Sequence, residues 1–192
     1  MGVFHHRTAQ GLRYINEIIL KKKKNLRLVD ATNYSYKEIL RLVSSNEEFL
    51  VQTEDFNKFS KNDFKVVSKK KPNTKQMRNL MFAFNICRYT KSNAIVLARN
   101  ETTVGIGSGQ PSRLDSCQIA INKMKKFKNL NDDIVAASDA FFPFVDGVEN
   151  LVQSGVSAII QPSGSIRDKE IIRFANQTDT ILVFSKSRHF RH

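Results

Sequence analysis

From Asn93 to the C-terminus, short apolar runs and helical patterns alternate without a break, and that alternation is the strongest limit on the fold. "NAIVLARN" (93–100), "TTVGIGSGQ" (102–110), "DIVAASDA" (133–140), "SAIIQPSGS" (157–165) and "TILVFSKSRHFRH" (180–192) read as strands. "PSRLDSCQIAINKMKKF" (111–127), with Pro111 near its first turn, "VENLVQSG" (148–155) and "DKEIIRFANQ" (168–177) read as helices. The pattern predicts an α/β fold in three layers, with a mostly parallel or mixed sheet covered on both faces. Upstream, "TKQMRNLMFAFNICRYTK" (74–91) sets Met77, Leu80, Met81, Phe84 and Cys87 on the ladder of a helix with one buried face. "NLRLVD" (25–30), "EFLVQTE" (48–54) and "DFKVVSK" (63–69) read as strands, and "YKEILRLV" (36–43) as a short helix. Residues 1–21 read as a basic lead-in, and 22–192 as one subdomain.

Charge narrows the partner. Thirty-one Lys and Arg against 18 Asp and Glu leave +13, which calls for something anionic. The lysines cluster in "KKKKNLR" (21–27), "SKKKPNTK" (68–75) and "KMKKFK" (123–128), each beside a turn or a helix end. Solvated surface lysine is the plain account of them. None is interleaved with the aromatics that a single-strand platform stacks on, so nucleic acid fits less well than a small anion. A basic, non-catalytic α/β module that binds nucleic acid is the alternative. No apolar run nears the 18 or so residues of a membrane span, so no membrane partner is expected. "MGVFHHRTAQG" lacks the layout of a secretory signal, and His6 stands where a myristoylation signal wants Ser or Thr. Two cysteines exclude a disulfide scaffold and point to a reducing cytoplasm.

In open α/β sheets, ligands bind beyond the carboxyl ends of the strands. Four candidate strands end in chemically loaded loops: "GSGQPSR", "SDAFFPFVD", "QPSGSIRD" and "SKSRHFRH". On one edge they would make a single site. The glycines of "GIGSGQPSR" could cradle an anion at a helix start, or simply turn. They form neither a phosphate loop nor a dinucleotide fingerprint. In "QPSGSIRD", Asp168 or a serine suits a helix cap. "SRHFRH" is a frayed tail or a strand end that delivers a guanidinium to a phosphate. With no C-x-x-C, H-x-E or H-E-x-x-H, no zinc is expected.

Taken together, "KSNAIVLARN", "TVGIGSGQPSRLDS", "ASDAFFPFVDG", "GVSAIIQPSGSIRDKE" and the terminal "RHFRH" resemble, in order and spacing, the C-terminal part of the bifunctional AICAR transformylase/IMP cyclohydrolase family of purine biosynthesis. The likeness runs from about Lys22 to His192 and is strongest after Lys65. It implies the second, cytidine-deaminase-like half of the transformylase region. The activity implied is transfer of a formyl group from 10-formyltetrahydrofolate to the 5-amino group of the carboxamide ribotide AICAR. Both ligands are anionic. The resemblance implies that Asn93, Arg113, Phe141 and Arg188 bind AICAR, with Asn93 orienting it and Arg188 on the phosphate. It places Leu114, Asp146, Ser165 and Ile166 against the folate. It also sets Thr90, Ser92, Asp139 and His192 where some members hold a monovalent cation such as potassium.

The departures from the family are as informative. Its catalytic Lys-His pair lies in the other transformylase half, and no Lys-His dipeptide occurs in these 192 residues. The resemblance therefore implies a fragment without the base and without the cyclohydrolase domain, inactive alone. It also implies a homodimer, because members build each site across a dimer interface.

Overall fold

The computed structural model describes residues 40–45, 48–53, 55, 59–127 and 133–191. The chain divides into two compact units, Met1–Glu54 and Asp55–His192. In the first, β1 (Leu40–Ser45) and β2 (Glu48–Thr53) form an antiparallel hairpin, with Leu42 opposite Val51. The helix expected over 36–43 is corrected here, because its described part, from Leu40 on, is strand. Tyr36, Ile39, Leu40 and Val43 satisfy a helical period, but "FLVQT" supplies a pairing partner that a local pattern cannot register. The lead-in, its boundary at residue 21 and the 25–30 strand lie outside the described residues.

The second unit is a six-stranded sheet with helices on both faces. Its strands are β3 (Phe64–Val66), β4 (Ile95–Arg99), β5 (Thr102–Gly107), β6 (Ile134–Ser138), β7 (Val156–Pro162) and β8 (Ile181–Ser185), in the spatial order β3-β8-β7-β6-β4-β5. Its helices are α1 (Thr74–Cys87), α2 (Arg113–Met124), α3 (Val145–Gln153) and α4 (Asp168–Gln177). A capping box starts α1: Gln76 N–H donates to the Asn73 side chain at 2.8 Å, and Asn73 N–H to the Gln76 side chain at 3.1 Å. Pro111 falls just before α2, whose N-cap is Ser112.

Alternation along the strands builds two cores. Ile95, Leu97, Ala136, Ile159 and Leu182 face the side of α2, α3 and α4. Val96, Ala98, Ala137, Ile160 and Val183 meet Leu80, Phe84 and Cys87 of α1 on the other. Burial on both faces is why these strands read as continuous apolar runs.

Of the two sheets expected, mostly parallel or mixed, the described residues form the mixed one. Only β6–β7 and β7–β8 pair parallel, while β3–β8, β4–β5 and β4–β6 are antiparallel. Strand β5 follows β4 through a tight turn at Asn100 and Glu101, both at positive φ, which forces an antiparallel hairpin. The reversal of β4 positions the site. Ile95, at its start, pairs with Ser138 at the end of β6 and with Gly107 at the end of β5. Asn93 thus arrives at the edge where β5, β6, β7 and β8 finish. In an all-parallel sheet it would lie at the opposite edge.

Candidate functional site

A cleft of about 460 Å³ opens at that edge. Its walls include Asn93 before β4, Arg113 and Leu114 at the start of α2, Phe141 after β6, Asp146 at the start of α3, and Arg188 after β8. Six of the eight residues assigned to ligands are therefore brought together. Ser165 and Ile166 are not among its walls, and Ile166 is fully exposed on the β7–α4 loop. That loop is tied down by Asp168, whose carboxylate accepts from Gly164 N–H at 2.9 Å and Ser165 N–H at 3.3 Å. Its Arg167 guanidinium lies 4.9 Å from the ring centroid of Phe144, a cleft wall.

Three phenylalanines share one loop and divide the work. Phe142 is 1% exposed and belongs to the core, while Phe141 is half-buried and Phe144 is exposed at the cleft. Gly147 makes the division feasible. A Cβ there would come within 2.8 Å of the Phe142 ring, so only a residue without one lets α3 pass over it.

Arg113 is almost wholly buried and serves the scaffold as well as the wall. One terminal nitrogen donates to Ser138 Oγ at 2.8 Å and to Asp139 Oδ1, and the other donates to Asn93 Oδ1 at 2.7 Å. Asn93 Nδ2 donates in turn to the carbonyls of Gln110, at 2.8 Å, and Pro111, at 3.0 Å. Ser116 Oγ donates to the Asn93 carbonyl at 2.8 Å. The start of β4, the start of α2 and the end of β6 are therefore held in one network at fixed spacing.

The second oxygen of Asp139 accepts from Ser92 Oγ at 2.6 Å, and its carbonyl accepts from His189 N–H at 2.8 Å. Ser92 N–H donates to the Arg191 carbonyl at 2.8 Å, and Arg191 N–H donates to Ser92 Oγ at 3.1 Å. Thr90 Oγ1 donates to the Ile86 carbonyl at 2.8 Å. The expected cation group of Thr90, Ser92 and Asp139 is thus committed internally, and His192 lies outside the described residues. No chemistry is routed through a cation at these residues.

The loop "GIGSGQ" differs from an anion cradle. Gly105 and Gly107 lie within β5, where a Cβ would come within 2.2 Å of the Ala120 carbonyl oxygen and 1.9 Å of that of Ser116. They let α2 lie backbone to backbone on the strand. Gly109 alone, at φ +68°, serves the turn.

Some of the site escaped the residue patterns. Phe190 joins Arg188 at the cleft, with the guanidinium 5.1 Å from its ring centroid. Their i, i+2 spacing in an extended segment was the available signal. His189, between them, turns inward and is 2% exposed. Its Nδ1 meets the Asp55 carboxylate. Burial lowers its pKa, against the opposing pull of Asp55. Burial also pushes the Cys117 thiol up to about 12 and the Cys87 thiol well above its ordinary value.

The AICARFT/IMPCHase bienzyme family model matches residues 10–123. Curated relatives extend the match: the bifunctional purine biosynthesis protein PurH of Persephonella marina is 43% identical over 179 residues, which are 92% of this chain and 34% of that protein. PurH of Chlorobium phaeobacteroides is 44% identical over 175 residues, 91% of this chain and 33% of its own length. PurH of Aquifex aeolicus is 42% identical over 173 residues, 90% and 33% respectively.

The chain belongs to the AICARFT/IMPCHase bienzyme family.

It spans about a third of the length of the curated relatives it matches. The residues matched by the family model include the cleft walls Asn93, Arg113 and Leu114. Among the described residues, no helix is long and apolar enough to cross a membrane.

Proposed function

We propose that this chain supplies the nucleotide and folate walls of an AICAR transformylase site, within an enzyme that moves a formyl group from 10-formyltetrahydrofolate to AICAR in the cytoplasm. The observation that carries this reading is the convergence of Asn93, Arg113, Phe141 and Arg188 on one cleft at a single sheet edge. Arg188 is an exposed guanidinium at the rim, suited to a ribotide phosphate. Phe141 offers an aromatic face to the imidazole ring. Leu114, with Phe144, offers apolar surface to a pterin. Asp146, exposed in the first turn of α3, is a hydrogen-bond acceptor for its amide edge.

The aminoimidazole nitrogen is a poor nucleophile, because its lone pair is delocalised into the ring and carboxamide. Reaction requires that nitrogen to be oriented, to lose a proton, and to bond to the formyl carbon as the bond to folate N10 breaks and N10 takes up a proton. The part of these residues is orientation. Asn93 is fixed on three sides by Arg113, Gln110 and Pro111, and the second lone pair of its Oδ1 is left to accept from the N–H of the substrate carboxamide. The proton acceptor belongs to the Lys-His pair that the family resemblance places in the other transformylase half. The same resemblance supports a homodimer that completes each site.

Titration of the 192-residue chain with AICAR ribotide and with AMP tests the reading. Saturable binding that prefers the ribotide supports it; equal weak binding of both sinks it. The nucleic-acid alternative rests on the +13 charge and on exposed lysines such as Lys69, Lys71, Lys125 and Lys126. An oligonucleotide whose binding falls steeply with salt, beside no ribotide preference, would favour it.

A further inference from the structure

We infer that His189 and Asp55 form a positioning pair that holds Arg188 and Phe190 at the cleft, an inference that rests on the ribotide reading of that cleft. The segment after β8 alternates outward and inward: Arg188 and Phe190 are exposed at the cleft, while His189 between them is buried. An extended segment that has left its sheet lacks ladder partners and needs other contacts to hold its course. Here the inward side chain supplies the tie.

The His189 ring is packed by two aromatic neighbours, Phe84 of α1 at 4.7 Å and Phe59 at 5.2 Å between centroids. Its Nδ1 faces Asp55 across a hydrogen bond. Asp55 is itself flanked by Arg88, whose guanidinium lies 3.9 Å from the carboxylate and 4.5 Å from the Phe59 ring centroid. Nε2 is buried without a hydrogen-bond partner among the described residues. The ring is therefore held by one directional bond and two aromatic contacts. The backbone completes the clamp: His189 N–H bonds the Asp139 carbonyl, and Arg191 exchanges two hydrogen bonds with Ser92. With His189 fixed, the backbone flanking it is fixed, and Arg188 has only its own rotamers left to search. Preorganising a charged contact in this way raises affinity by lowering the ordering cost of binding. The pair acts on phosphate through Arg188 and touches no ligand.

The test compares AICAR ribotide with its riboside, which lacks the phosphate, on the intact 192-residue chain and on Asp55→Ala and His189→Ala. The ribotide-to-riboside affinity ratio is expected to fall about tenfold in either variant, with riboside affinity unchanged. In an Arg188→Ala background the same substitutions should leave the ratio where Arg188→Ala already set it. A ratio that stays at the unmodified level in a folded Asp55→Ala chain overturns the inference. So does a further fall in the Arg188→Ala background. Asp55 is partly exposed, so its variant remains informative if His189→Ala fails to fold. Amide exchange reads the clamp without ligand: protection at His189 and Arg191 should drop in Asp55→Ala, and unchanged protection overturns the clamp. If the unmodified chain itself shows no ribotide preference, the ribotide reading falls, and amide exchange alone decides the clamp.

Discussion

Arg113 and Asp139 form an ion pair that solvent hardly reaches, with side chains 8% and 0% exposed. The pair ties the first residue of α2 to the residue that follows β6, and Ser138 and Asn93 share the same guanidinium. A buried carboxylate stripped of its partner is costly, since the interior offers little to replace a charge-assisted bond.

Arg113→Ala should therefore destabilise the chain by about 3–5 kcal/mol. Urea denaturation at pH 7 would measure it, and a loss of under about 1 kcal/mol would mean that Ser92 alone satisfies Asp139.

Gly107→Ala should be strongly destabilising, by about 1–3 kcal/mol or more, because the new methyl meets the Ser116 carbonyl oxygen of α2 at 1.9 Å. Gly→Ala ordinarily gains stability through the unfolded chain. A rise in Tm would show that α2 shifts freely away from β5.

The two thiols set an alkaline limit. Their folded pKa values lie above the ordinary range, Cys117 at about 12 and Cys87 higher than its ordinary value, chiefly because burial disfavours the thiolate. The unfolded chain loses these protons first, so the stabilisation is complete below the unfolded thiol pKa of about 8.5 and declines as pH rises above it. Denaturation midpoints should fall between pH 8 and pH 10, with less of a fall in Cys117→Ala. Native-state alkylation by iodoacetamide at pH 8 should be slow, and rapid labelling would contradict the burial of both side chains.

Arg188→Ala should weaken ribotide binding by about ten- to a hundredfold, the range for a hydrogen bond to a charged group, and leave riboside binding nearly unchanged. Isothermal titration would separate the two. Equal losses for both ligands would place Arg188 elsewhere than on the phosphate.

The 192 residues alone should show no measurable formyl transfer, because no Lys-His pair is present to take the amine's proton. Absorbance assay of tetrahydrofolate release, with AICAR and 10-formyltetrahydrofolate in excess, checks this. Sustained turnover would transfer the base role to a residue within this chain.

The strand–helix alternation after Asn93 was legible because each buried strand is apolar on both faces and each helix on one. Strand direction was not. The β4–β5 hairpin turns on Asn100 and Glu101 at positive φ, and "RNET" carries no glycine to announce it. The loops of the cleft were legible as unusual residues at strand ends, and six assigned residues meet there. Less legible was that Arg113 and Asn93 satisfy each other: a polar residue's partner twenty positions away leaves no local pattern. Nor does any local pattern announce that the counter-charge of Asp139 is Arg113, twenty-six positions away. The glycines of β5 look the same in sequence whether they receive an anion or a helix, and only the backbone approach of α2 tells the two apart.

Phe142 is both a core residue and part of the cleft lining. Its ring packs in the interior beside Gly147 of α3 and borders the cleft. Folding strength and ligand fit therefore draw on one side chain. A family member that repacks this interior to gain heat resistance must also reshape its cleft, so selection on either property constrains the other.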